Sequence, residues 1–136
     1  MSRTKQDTGL WIKRLQMQHH RAANEALERL GLTLVQWDAL RHMQDNPGAS
    51  LHDLAQLTFQ TDQSFGALAA RLVALGLVER VPGSGRAVRH ELTGTGIELR
   101  DQGARIMDGV LTRSFAPLTA AQLTALDDLL QLLVHP

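Results

Sequence analysis

Residues 50–93 read SLHDLAQLTFQTDQSFGALAARLVALGLVERVPGSGRAVRHELT, and the rest of the chain is arranged around them. Ser50, with Asp53 three residues on, is a capping-box pattern that opens a helix. Leu51, Leu54, Ala55 and Leu57 then give it a short apolar face. A second helix starts near Thr61, because Phe65, Leu68, Leu72 and Leu75 recur at helical spacing and face a core. Gly76 is its expected stop, since glycine tolerates the left-handed conformation of a helix C-terminus. Leu77–Val81 and Arg86–Leu92 read as strands. Pro82-Gly83 is expected at the centre of a type II turn between them, proline fixing φ and glycine supplying a positive φ. Helix, turn, helix and hairpin in this order predict a winged helix-turn-helix.

The second helix of this unit has a face that the core does not use. It carries Asp62, Gln63, Ser64, Gly66, Ala67, Ala70 and Arg71, which are short or hydrogen-bonding groups near a helix N-terminus. Such a face suits entry into a DNA major groove. The candidate DNA-contact residues are therefore Thr61, Gln63, Ser64, Ala67 and Arg71, with Arg86 and Arg89 of the hairpin placed to meet phosphate or minor groove. Gln63 is the expected base reader, because its amide offers the donor and acceptor needed for adenine N6 and N7. A solvated helix surface has the same composition, and it is the arginines of the hairpin that move the balance towards DNA.

Composition narrows the class. A chain of 136 residues is one domain, long enough for a core, and 43% hydrophobic content with strong periodicity makes it globular and mostly helical. No apolar run approaches the roughly 20 residues of a membrane span, and the polar start MSRTKQDTG is no signal peptide. The expected location is the cytoplasm, with no membrane partner. The absence of cysteine excludes disulfides, thiol-based oxidant sensing and Cys-ligated zinc. A formal net charge of zero argues against avid nonspecific nucleic-acid binding. Charge is nevertheless uneven: Arg71, Arg80, Arg86 and Arg89 outnumber Glu79 and Glu91 around the hairpin. That pattern fits a DNA binder of moderate affinity that uses two copies of itself.

The flanks are helical. Residues 1–8 read as a frayed start, followed by a long helix from about Gly9 to Leu30. Its stripe runs through Ile12, Leu15, His19, Ala22, Ala26 and Leu30, widened by Trp11, Ala23 and Leu27. Gly31 ends it, and Thr33 with Gln36 caps the next helix, whose buried face is Leu34, Trp37, Leu40 and Met43. Asn46-Pro47-Gly48 breaks the chain before Ser50. After the hairpin, Thr93-Gly94-Thr95-Gly96 opens a helix to about Phe115, and Thr119 with Gln122 caps a last one. The leucines from Leu123 to Leu133 exceed one contact face, so a monomer would expose them. The first, fifth and sixth helices are the expected dimer interface. The expected fold is mainly α, six helices with a small β-hairpin wing, dimerising through its terminal helices. It is a single domain, 1–136, with a DNA-binding lobe at about 33–93 and dimerisation helices at 9–31 and 97–134.

Catalysis and metal binding find little support. His19 and His20 are adjacent and point about 100° apart on a helix, and no His-x3-His pair occurs, so no metal site or cofactor is expected. Ser64 and Ser114 lack a nucleophile elbow, and no glycine-rich phosphate loop follows a strand, so the chain does not read as an enzyme. Trp11, His19, Trp37 and Met43 are candidates to line an apolar ligand pocket, although tryptophan and methionine at helical spacing are more often core. A winged-helix protein that binds protein, or a ligand-binding dimer with vestigial DNA contacts, is the competing class.

LTLVQWDAL at 32–40, LHDLAQLT at 51–58, RLVALGLVER at 71–80 and RAVRHELTGTG at 86–96 together resemble the MarR family of bacterial transcription regulators. The resemblance covers about residues 9–134. It implies a winged-helix homodimer on a pseudopalindromic operator, usually a repressor. It also implies a small, often phenolic or anionic, ligand bound between the DNA lobe and the dimer helices. Two departures stand out. Ser84-Gly85-Arg86 keeps the wing arginine and lacks the aspartate that commonly precedes it, and Gly66-Ala67 stand where the family usually carries a long polar or basic residue.

Overall fold

Each of the six α-helices among the described residues opens on a threonine or serine whose hydroxyl accepts the backbone N–H three residues on. Such caps each contribute about 1 kcal/mol, so the helix starts are set locally. In the computed structural model, which describes residues 2–83 and 88–136, the order is α1 (Lys5–Leu27), α2 (Leu34–Asp45), α3 (Leu51–Leu57), α4 (Asp62–Ala74), β1 (Val78–Pro82), β2 (Val88–Leu92), α5 (Gly94–Phe115) and α6 (Ala120–Val134).

Several local expectations change. The chain start is not frayed to residue 8, because Thr4 and Asp7 form a capping box that starts α1 at Lys5. That helix ends at Leu27, and Glu28–Leu30 continue as one turn of 3-10 helix before Gly31 at φ 72°. Pro82 does not occupy a turn. It is the last residue of β1 and pairs with Val88. A two-stranded sheet is all edge, and an edge strand tolerates a residue without N–H. Arg86, with Ser84 and Gly85, lies outside the described residues.

The core forms where α4 crosses α2 and α3. Phe65, Ala69 and Leu72 of α4 are buried against Ala39, Leu40 and Met43 of α2 and Leu54 and Ala55 of α3, with Leu27, Val78 and Ile106 closing the cluster. Full burial of each large member is worth roughly 1.5–3 kcal/mol, so the phase of α4 is held by some of the best-buried of the described residues.

α5 approaches its neighbours through glycines. A Cβ on Gly103 would lie 2.3 Å from the Trp37 ring, and one on Gly96 would lie 2.0 Å from the Leu77 carbonyl oxygen. Trp37 Nε1 donates to the Arg100 carbonyl at 3.0 Å, which fixes the buried indole against α5.

The outer helices leave apolar surface uncovered. α6 has no buried residue, and Leu129, Leu130, Leu132 and Leu133 are exposed. The expected α1 stripe is also only partly covered. Ala23 and Leu27 are buried, whereas Trp11 and Ile12 are exposed in the protomer, as are Leu10 and Met17 outside the stripe.

Candidate nucleic-acid interface

The turn between α3 and α4 is tied down on its inner side. Thr58 Oγ1 donates to the Leu54 carbonyl at 2.7 Å, and Gln60 Nε2 donates to Thr58 Oγ1 at 3.2 Å. α4 then starts on Thr61, whose hydroxyl accepts from Ser64 N at 3.0 Å, while Ser64 Oγ donates to Gln60 Oε1 at 3.3 Å. Thr61 and Ser64 therefore have structural duties at the helix start, and Ser64 is turned towards Gln60.

The next residue positions fall as the periodicity predicts. Gln63 and Ala67 are exposed on the side of α4 opposite the buried Phe65, Ala69 and Leu72. Arg71 is exposed two turns further on, with no carboxylate within ion-pair distance among the described residues. The polar first turn and Arg71 thus share one accessible surface, with a short-chain stretch at Gly66, Ala67 and Ala70 between them.

The pair His52–Asp62 was not anticipated. His52 Nδ1 lies 2.9 and 3.0 Å from the two Asp62 carboxylate oxygens, linking the start of α3 to the first turn of α4. The signal in sequence is only a histidine and an aspartate ten positions apart on successive helix starts.

On the hairpin, Arg89 pairs with Val81 and is exposed, and its Nη1 would lie 4.0 Å from a Cβ on Gly48. It therefore leans over the α2–α3 turn. Arg80 and His90 face each other across the ladder. Partial burial, and secondarily the Arg80 guanidinium, hold the His90 imidazole below its ordinary range. The positive charge of these paired strands therefore comes from Arg80 and Arg89.

The four candidate pocket residues do not share one cavity. Trp37 and Met43 are buried in the core. Trp11 is exposed on α1, with the Arg14 guanidinium 5.1 Å from its ring centre. His19 sits in a groove between α1 and α5, with Nε2 2.6 Å from Ser114 Oγ and its ring edge-on to Phe115. A different cleft, of about 520 Å³, opens between α1, α2 and the α3–α4 turn. Gln16, His20, Val35, Asp38, Gln60 and Ser64 are among its walls. Among the described residues no three His, Asp or Glu side chains gather to hold a metal ion, and no helix is long and apolar enough to cross a membrane.

A two-helix unit with a buried crossing, an exposed polar first turn and an antiparallel hairpin behind it defines a winged helix-turn-helix. Residues 30–87 match the family model described as MarR family. The HTH-type transcriptional repressor Rv2887 of Mycobacterium tuberculosis is 33% identical over 99 residues, 71% of either chain. The crystal structure of the M. tuberculosis MarR family protein Rv2887 in complex with DNA superposes with a TM-score of 0.76 at 27% identity, covering 92% of this chain and 95% of that one. Its complex with salicylic acid gives 0.78 at 29% identity, covering 92% and 94%. This chain belongs to the MarR family of transcription regulators.

Proposed function

We propose that this chain is a cytoplasmic transcriptional repressor without catalytic activity, which binds a pseudopalindromic duplex as a homodimer and releases it to a small molecule. α4 enters the major groove, and the hairpin with Arg86 and Arg89 meets the backbone. Residues 33–93 serve as the DNA lobe, and the terminal helices, 9–31 and 97–134, pair two copies. The observation that carries this reading is the exposed Gln63 in the first turn of α4, opposite the fully buried Phe65. The repressor name of the M. tuberculosis relative and its DNA complex support it. The test is a selection from random duplexes. An inverted repeat should be enriched, with half-site centres about 34–36 Å apart. A pool that stays random would favour a winged helix that binds protein.

The ligand site in this reading is the cleft beside Gln60 and Ser64, because these residues belong to the start of the recognition helix. Among the described residues that line it there are one carboxylate, Asp38, one imidazole, His20, and no lysine or arginine. His42 Nδ1 donates to the Asp38 carbonyl at 2.7 Å and lies 3.4 Å from its carboxylate. The chain's own side of the cleft thus favours an uncharged phenolic group over a carboxylate. The salicylic acid complex of the relative supplies a matched pair of probes. Salicylamide should bind this protein more tightly than salicylate and release the duplex at lower concentration, and Asp38→Asn should narrow the difference. Tighter binding of salicylate, measured by calorimetry, would contradict this assignment.

A further inference from the structure

Phe59 combines two unfavourable features. It is the one non-glycine residue with positive φ among the described residues, at 56°, and its side chain is 96% exposed. The backbone reason is clear. Gln60 N donates to the Ala55 carbonyl at 2.8 Å and Phe59 N to the Gln56 carbonyl at 3.2 Å, closing α3 with a left-handed residue. An L residue there brings its Cβ against the following carbonyl oxygen, which is why glycine is usual at such stops. The stops after the 3-10 turn and after α4 are glycines, Gly31 and Gly76, at φ 72° and 75°. At the end of α3 a phenylalanine stands in their place.

Among the described residues no packing repays this choice. The ring reaches no core residue, and its neighbours Thr58 and Gln60 hydrogen-bond inward, so the turn is braced with Phe59 on its outside. Single exposed apolar residues are ordinary, and left-handed residues end many helices. A bulky residue that is both is a true outlier, and such positions cluster where function holds them. The place is telling: Phe59 lies in the turn of the helix-turn-helix, two residues before the Thr61 cap and four before Gln63.

We propose that Phe59 is an apolar DNA-contact residue, its ring seated on the duplex beside the first turn of α4. The inference rests on the reading of α4 as the recognition helix. A duplex offers an apolar side chain two surfaces, the thymine 5-methyl group in the major groove and the deoxyribose carbons along the strand. Either contact adds affinity without displacing counterions, unlike a lysine or arginine on phosphate.

The test uses the dimer of the whole 136-residue chain, the duplex enriched by selection, and the same duplex with the thymines of each half-site replaced by deoxyuridine. Phe59→Asn keeps a side chain that accepts the left-handed conformation and removes the ring. It should raise Tm by about 3 °C and weaken binding by about fivefold, with an unchanged dependence on salt. Phe59→Leu should regain most of the affinity without the gain in Tm. If the native protein weakens on the deoxyuridine duplex and Phe59→Asn does not, the contact is the thymine methyl. If neither responds to deoxyuridine while Phe59→Asn still binds more weakly, the contact is deoxyribose. Native affinity in Phe59→Asn would overturn the proposal, as would a loss of affinity with a smaller salt dependence or a lowered Tm. Failure of the native protein to enrich any duplex would instead remove the DNA reading itself, and this inference with it.

Discussion

Gly96→Ala is expected to destabilise the protein by about 3 kcal/mol, the upper end for overpacking, and to lower Tm on the order of 10 °C. The added Cβ would stand 2.0 Å from the Leu77 carbonyl oxygen, which is backbone and has no rotamer to change. That oxygen also accepts Thr93 N at 3.0 Å, and Thr93 Oγ1 donates to the Gly76 carbonyl at 2.7 Å. The start of α5 is thereby bound to the end of α4 and the root of the wing. It cannot back away without breaking both bonds. Gly94→Ala is the control, because no atom lies within 4 Å of its would-be Cβ. In an open helix position alanine is favoured over glycine by about 0.5–1 kcal/mol. Thermal unfolding of both variants should therefore show opposite signs. Equal effects would contradict the close approach at Gly96.

Removing residues 118–136 is expected to abolish dimerisation and to weaken duplex binding by roughly 100-fold or more, since linked half-sites gain that much from each other. The α6 leucines are the reason: Leu132 and Leu133 are 67% and 68% exposed, and no α6 residue is buried within the protomer. Exposed Trp11, Ile12 and Met17 on α1 extend the uncovered surface. Sedimentation at micromolar concentration should give a dimer for the intact chain and a monomer or aggregate for the shortened one. A clean monomer for the intact chain would remove the terminal helices as an interface and the paired half-sites with them.

Much of the fold was legible because helix ends are written locally. Thr33 with Gln36, Ser50 with Asp53 and Thr119 with Gln122 are capping boxes in the sequence and in the structure. Gly76 takes its expected positive φ, and the phase of α4 follows from Phe65 and Leu72. The Thr4–Asp7 box has the same local pattern, but the polar residues around it read as a loose start. What stayed hidden depends on distant partners. Gly96 and Gly103 look like poor helix formers until Leu77 and Trp37 are placed against them. Pro82 looks like a turn residue until the ladder pairs it with Val88. The ligand residues scattered for the same reason: tryptophan and methionine at helical spacing carry no mark that separates Trp37 in the core from Trp11 on the surface. The candidate DNA face was read from helix phase, whereas His52–Asp62 and the left-handed Phe59 follow from how the α3–α4 turn closes.

The measurement that tests the central claim most directly compares Gln63→Ala with the native protein on the selected duplex and on random duplex, at one fixed salt concentration. Gln63 is exposed in the first turn of α4, and among the described residues its amide is committed to no hydrogen bond. Bidentate contact with adenine N6 and N7 is worth about 1–3 kcal/mol. The variant should lose that much on the selected duplex and much less on the random one. An equal loss on both would make Gln63 a positioning residue. No loss on either would mean that this face of α4 does not enter the groove.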